Sequence, residues 1–351
     1  MPIDMQALQA LGWKQQFAAQ LTLEELESAH VVRVMAVQRG GLSIAPDFSG
    51  ELLPLGGRWF QLDAVERPTV GDWLVLSADG QQIERVLERS SLLKRVVPGR
   101  TSEVQLIGAN VDTMLVVTSC NLDFNPSRIE RYLALAYDAG ATPVLVLTKA
   151  DLVEETESYI EQARQLGDDL AVEVVNALDA STLAGLQQWC GAGATVALLG
   201  SSGVGKSTLL NSLAGSALQI TGAIREDDAK GRHTTTHRSL HELPSGALLL
   251  DSPGIRELQI TDMDSGLEAA FADVEQLAEG CRFNDCQHRA EPGCAVQAAI
   301  DSGDLDARRL ASYEKLGREE RYARESVAER HARVRSFGKM VRNATHNKPK
   351  K

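Results

Sequence analysis

Nine consecutive residues, Gly200-Ser201-Ser202-Gly203-Val204-Gly205-Lys206-Ser207-Thr208, have the types and spacing needed to hold a polyphosphate. The glycines let backbone amides turn inward on phosphate oxygens, Lys206 can reach the β and γ oxygens, and Ser207 offers its hydroxyl to Mg²⁺. The run follows an apolar segment, 194–200, and opens a helix expected from Thr208 to Leu213, whose N-terminus adds partial positive charge. Strand, loop and helix in that order make a phosphate loop, with Lys206 a catalytic candidate.

A phosphate loop does not choose between ATP and GTP, and three further pieces bear on that choice. Asp251-Ser-Pro-Gly254 ends the run ALLLD about 45 residues after the loop, where Asp251 can hold Mg²⁺ through water and the Gly254 amide can meet a γ-phosphate. Thr148-Lys149-Ala150-Asp151 ends the run PVLVLT, so Asp151 can accept protons from a guanine edge while the Lys149 stem covers the base. Asn176-Ala177, after VEVV, supplies a backbone amide for the guanine oxygen. In ordinary small GTPases the phosphate loop comes first; here the base-selecting pieces precede it. A doubly wound sheet gathers these loops at the C-terminal ends of its strands wherever the chain is cut, so the order indicates circular permutation with an intact site.

A second chemistry sits downstream. Cys281, Cys286, His288 and Cys294 give Cys-x4-Cys-x-His-x5-Cys, a tetrahedral set for one structural Zn²⁺ that leaves no open position for catalysis. The other cysteines, Cys120 and Cys190, lie in or beside apolar segments and read as buried thiols.

The elements that must position these residues follow from the pattern of the 351-residue chain. Residues 1–30 carry a short amphipathic helical pattern, and 31–97 hold short β-type runs punctuated by glycine, read as a small antiparallel barrel of OB or SH3 type. From 98 to 262, apolar runs at 112–119, 143–148, 172–175, 194–200 and 247–251 alternate with helical segments, as in a parallel sheet covered on both faces. One of these helices starts at an Asn125 or Ser127 cap around Pro126 and ends at Gly140. Residues 263–351 read as helical and charged around the cysteine cluster. The predicted fold class is α/β: a permuted P-loop GTPase domain between an OB-like barrel and a helical metal-binding module.

Composition limits the setting. With 43% hydrophobic and 24% charged residues the chain has a soluble protein's balance, and no apolar run reaches membrane-spanning length. Asp4 stands where a signal peptide would carry positive charge, and the five cysteines are too few and clustered for a secreted disulfide framework, so a cytoplasmic monomer is expected. The net charge of −12 is uneven: fourteen Lys and Arg face six Asp and Glu between Leu305 and Lys351, leaving that tail at about +8 and the rest at about −20. An arginine-rich helix here (Arg308, Arg309, Arg318, Arg321, Arg324, Arg330, Arg333, Arg335) points to RNA phosphates, with Trp59, Phe60 and Trp73 of the barrel as stacking candidates.

Barrel, permuted GTPase and zinc cluster, in that order, resemble the ribosome small-subunit-dependent GTPase family over about residues 30–300. Gly231-Arg-His233-Thr234-Thr235-Thr236 is similar to that family's first switch, which implies Thr235, or alternatively Thr234, as the Mg²⁺-capping threonine. The resemblance also implies a switch acting on the small ribosomal subunit and its rRNA, bound to GTP or GDP with Mg²⁺. Two positions depart from common GTPases. Thr148 replaces asparagine, which is expected to weaken affinity while Asp151 keeps the choice of guanine. Ile255 replaces the glutamine that orients water, a role the resemblance gives to His233. The competing reading is a GTP-dependent regulator of a non-ribosomal protein partner, kept open by the acidic body.

Overall fold

The computed structural model describes residues 4–28, 30–46, 51–96, 104–215, 238–252, 255 and 264–324. In chain order its strands are β1 (His30–Gln38), β2 (Gly41–Ala45), β3 (Trp73–Leu76), β4 (Ile83–Val86), β5 (Leu92–Val96) and β6 (Val104–Ala109), then β7 (Thr113–Ser119), β8 (Thr142–Thr148), β9 (Ala171–Val174), β10 (Thr195–Leu199), β11 (Arg238–Glu242) and β12 (Leu248–Asp251).

The continuous apolar runs become parallel strands in the order β12-β10-β7-β8-β9, buried on both faces as such runs require. Along β7, Met114 and Val116 point into one core and Leu115 and Val117 into the other; along β8, Leu145 and Leu147 alternate in the same way with Val144 and Val146. One core is closed by the helix Pro126–Asp138 and by helices from the C-terminal part of the chain, the other by the helix Lys206–Ala214. The first of these helices starts where Asn125 accepts from the Arg128 amide at 3.0 Å, with Pro126 in its first turn. Ile129, Leu133 and Ala136 form its buried stripe.

β11 was not anticipated from the sequence. It runs antiparallel to β12 on one side and to β1 on the other, with Ser239 opposite both Asp251 and Ala36. The N-terminal strands, paired β2-β1-β3-β4, are thereby continuous with the nucleotide-binding sheet rather than a separate bead. Trp59 and Trp73 lie in the cores of this N-terminal part and cannot stack on bases, while Phe60 is exposed. Residues 5–28 form three short helices, and Leu8, Trp13, Phe17 and Leu21 pack them against Trp73 and Leu87.

Arg33 of β1 ties these layers together from a buried position. It donates to the carbonyls of Gly71 and Asn110, both at 3.2 Å, to that of Leu11, and to the Thr195 hydroxyl at 2.8 Å. Burial lowers its pKa to about 10. The chain after β12 continues in helices Asp264–Ala270, Ala272–Glu279, Ala295–Ser302 and Ala307–Arg324.

Candidate nucleotide site and metal cluster

β10 delivers the chain to Gly200, and the helix Lys206–Ala214 carries it away. Between them, Gly200 and Gly205 sit at φ of +151° and +99°, and a Cβ on Gly200 would lie 2.2 Å from the Val117 carbonyl oxygen. Only glycine fits this approach to β7. The helix begins at Lys206, two residues earlier than the sequence pattern indicates, so Lys206, Ser207 and Thr208 occupy its first turn, where amide N–H groups are unpaired by the helix itself. Ser202 and Gly203 are exposed at the crest of the loop and Val204 is buried beneath it. The buried Lys206 donates from Nζ to the carbonyl of Gly200 at 2.7 Å and to that of Ser201. Asp123, in the loop after β7, accepts from the Ser201 hydroxyl at 2.8 Å and pairs with Arg128 at 3.0 Å, an anchor that no motif pattern singled out.

The residues read from the sequence as base-selecting stand beside this loop. Thr148 is fully buried at the end of β8, and its hydroxyl lies within bonding reach of the carbonyls of Thr118, at 3.0 Å, and of Val204. Lys149 takes a left-handed conformation (φ 59°), which throws its side chain over the phosphate loop, where Nζ donates to the Gly203 carbonyl at 2.8 Å. Asp151 is exposed in the single turn Ala150–Leu152 that follows β8. Asn176 accepts from the Leu178 amide at 3.0 Å, and the Ala177 carbonyl accepts from Ser212 of the phosphate-loop helix. The segments after β8 and β9 are therefore linked by direct hydrogen bonds to the phosphate loop and to the helix that follows it, across a sheet in which β7 lies between β10 and β8.

On the other flank, β12 brings Asp251 and Ser252 to a recess of about 60 Å³ that Lys206, Ser207 and Ile255 also line. The Ser252 hydroxyl is buried and has no hydrogen-bond partner among the described residues. Ile255 is buried and presents hydrocarbon, as the sequence requires, where other GTPases carry an amide. His233, Thr234, Thr235 and Gly254 lie outside the described residues.

Cys281, Cys286, His288 and Cys294 converge with their donor atoms within 4.8 Å of one another, an arrangement able to hold one metal ion. His288 Nδ1 lies 3.6 Å from Cys281 Sγ and 3.5 Å from Cys294 Sγ, and the two sulfurs are 3.9 Å apart. The backbone turns at His288 (φ 57°) and at Gly293 (φ 79°) to bring the ligands round. Burial opposes ionisation of Cys281, but hydrogen bonds from the Val296 and Ala295 amides, at the start of the helix Ala295–Ser302, and from Cys286 and Cys294 together hold the thiol below its ordinary pKa. Cys120 and Cys190 are buried thiols, as their apolar surroundings in the sequence indicate, and desolvation raises both to about 11.

The arginines of the helix Ala307–Arg324 are less available than the sequence implies. Arg309 is buried, donating to Asp273 Oδ1 at 2.7 Å and to Glu130 Oε1 at 3.1 Å, with its guanidinium 4.8 Å from the Phe271 ring centre. Arg308 pairs with the same fully buried Glu130 at 3.0 Å, and Glu319 takes Arg131 at 2.7 Å. These arginines bind the helix to Pro126–Asp138, so the expected RNA face loses Arg308 and Arg309 to internal ion pairs. Arg330, Arg333 and Arg335 lie outside the described residues.

A parallel sheet whose phosphate loop follows its base-selecting strands, with lysine, serine and aspartate meeting in one recess, defines a circularly permuted P-loop GTPase. The chain belongs to the RsgA GTPase family, whose model matches residues 86–261. It is 51% identical to the small ribosomal subunit biogenesis GTPase RsgA 2 of Vibrio vulnificus over 343 residues, covering 98% of this chain and 96% of that protein. The RsgA of Mesorhizobium japonicum is 48% identical, with 90% of each chain covered. In fold it is similar to YjeQ from Thermotoga maritima (TM-score 0.62, 24% identity, 82% of this chain and 97% of that one). It is also similar to YloQ, described as a circularly permuted GTPase (TM-score 0.60, 23% identity, 85% and 97%).

Proposed function

We propose that this protein hydrolyses GTP as a switch in late maturation of the small ribosomal subunit, with turnover stimulated by the subunit itself. The observation that carries the GTPase chemistry is the recess where Lys206, Ser207 and Asp251 meet beside a glycine-lined loop. The names of the near full-length relatives support the ribosomal partner over a non-ribosomal protein. No helix among the described residues is long and apolar enough to cross a membrane. The same proposal has the protein acting in the cytoplasm as a monomer.

In this reading the amides of Gly200 to Thr208 cradle the phosphates, and Lys206 exchanges its loop carbonyls for β and γ oxygens. The Ser207 hydroxyl and the Asp251 carboxylate are hard oxygen donors in one small recess, and the unpartnered Ser252 hydroxyl adds a third polar group there. That set fits Mg²⁺, which takes only one or two protein ligands beside water and phosphate. Bound Mg²⁺ neutralises charge between the β and γ phosphates. Thr235 caps it from the switch, the Gly254 amide meets the γ-phosphate, and His233 orients the attacking water. Asp151 selects guanine, Lys149 covers it, and the Asn176-Ala177 backbone addresses its oxygen, with Thr148 holding the segment to the loop.

The cluster at 281–294 fits zinc. Bond lengths of about 2.3 Å to sulfur and about 2.0–2.1 Å to nitrogen give tetrahedral edges of about 3.8 Å (S···S) and about 3.6 Å (S···N). The three separations among Cys281, His288 and Cys294 are 3.9 Å and 3.5–3.6 Å, and the Cys286 sulfur lies within 4.8 Å of the other donors. Four ligands close the shell, so the ion organises the loop and takes no part in hydrolysis.

Multiple-turnover GTP hydrolysis with and without purified small subunits tests the proposal. Stimulation that is lost in Lys206→Ala is expected; turnover indifferent to the subunit rejects the ribosomal reading. Asp151→Asn should narrow the preference for GTP over ATP, and unchanged discrimination would displace the base-side assignment.

A further inference from the structure

The recess assigned to Mg²⁺ has a second side. β11 and β12 run antiparallel with Ser239 opposite Asp251 and His241 opposite Leu249. Residues two apart on a strand share a face, so Ser239 and His241 both lie on the face of Asp251, with His241 at the diagonal position a long side chain can span. His241 Nε2 is 2.9 Å from Ser239 Oγ and 4.0 Å from Asp251 Oδ2. Asp251 is the last residue of its strand.

We propose that His241, held by Ser239, is a positioning residue that orients the Asp251 carboxylate toward the Mg²⁺ recess. The carboxylate selects the tautomer. With the proton on Nε2, the imidazole turns a positive edge toward both Ser239 Oγ and Asp251 Oδ2; with the proton on Nδ1, a nitrogen lone pair would oppose the carboxylate. At 4.0 Å the contact is electrostatic and not a hydrogen bond, so it biases the carboxylate without replacing its ligand function. Hydrogen-bonded outer partners of metal-binding carboxylates are worth about 10–100-fold in metal affinity, which puts a contact at 4.0 Å at the low end of that range. β11 also pairs Ser239 with Ala36 of β1, so the N-terminal strands brace the same support.

The inference rests on the reading of Asp251 as a Mg²⁺-site residue, and the experiment separates the two. Affinity of the full chain for a fluorescent GDP analogue is measured across a Mg²⁺ series and in EDTA, alongside melting temperature. His241→Ala is expected to move the Mg²⁺ midpoint about 10-fold higher while leaving the EDTA affinity and the melting temperature in place. His241→Phe, which fills the space without a donor, should behave as His241→Ala, and His241→Gln, which can donate from a similar position, should recover most of the shift. An unmoved midpoint in both His241→Ala and His241→Phe overturns the proposal, as does a parallel loss of EDTA affinity in both. Asp251→Asn is the reference: if it too leaves the midpoint unmoved, the reading of Asp251 fails; if it moves the midpoint and the His241 variants do not, only the role of His241 fails.

Discussion

The hydroxyl of Thr148 lies against the carbonyl of Val204, so the strand β8, which leads into Lys149 and Asp151, is fastened directly to the phosphate loop. It also lies 3.0 Å from the Thr118 carbonyl at the end of β7. One hydroxyl proton serves both oxygens, in a site with no solvent exposure.

Thr148→Val keeps the shape and removes that proton, leaving two buried carbonyls without it. The expected cost is about 1–3 kcal/mol of stability. GTP and GDP affinities should fall together, because the defect lies in the loop's anchorage and not at the base. Calorimetric melting and titration with both nucleotides check this; a loss confined to one nucleotide would mean that Thr148 contacts the ligand.

How far the sequence spoke for the structure depended on the range of the interaction. The phosphate loop, the strand ends carrying Thr148, Asn176 and Asp251, and the ligand set at 281–294 follow from local spacing, because strand, turn and helix form from neighbouring residues. β11 was invisible: Arg-Ser-Leu-His-Glu alternates only weakly, and although β12 follows it directly in a hairpin, its other partner, Ala36 of β1, is remote in sequence. Arg33 and Glu130 were missed for a related reason, since a charged residue in an apolar pattern reads as a surface position until the distant partners that bury it are known. Composition gave the tail's arginines to RNA; geometry gave two of them to Glu130.

Those two should respond differently to removal. Arg309 is enclosed between Glu130 and Asp273, and Arg309→Ala leaves Glu130 with one partly exposed partner and Asp273 with none of its present bonds to this helix. Breaking a buried pair of this kind costs about 3–5 kcal/mol. Arg308→Ala keeps the Arg309 contact and, with a side chain one-third exposed, should cost under about 1 kcal/mol. Urea unfolding measures both, and equal losses would show that Arg309 holds no special place.

The metal cluster predicts a local failure. Replacing any one of Cys281, Cys286, His288 or Cys294 by Ala should release about one zinc per chain and loosen 281–302, since a closed site contributes its binding energy to folding. Nucleotide affinity should survive, because the phosphate loop's bonds are made within the sheet. Metal analysis with limited proteolysis checks this, and a metal-free protein that resists proteolysis as the native one does would remove zinc from the account.

The final prediction concerns the attacking water. Ile255, buried at the recess, has no group to orient it. Unassisted turnover is therefore expected at about 10⁻⁴ to 10⁻² per second, with up to about 10⁵-fold still to come from a partner. In the proposed scheme His233 orients the water only while the partner is bound. His233→Ala should then leave GTP affinity and the basal rate nearly unchanged while lowering the subunit-stimulated rate by about 10² to 10⁴, the usual worth of a positioned catalytic group. Release from the subunit follows loss of the γ-phosphate in this scheme, so the variant should also remain bound for longer. Basal rate, stimulated rate and residence time measured together decide the matter: an equal fall in both rates places His233 in the resting site, and no fall in either assigns the water to another group.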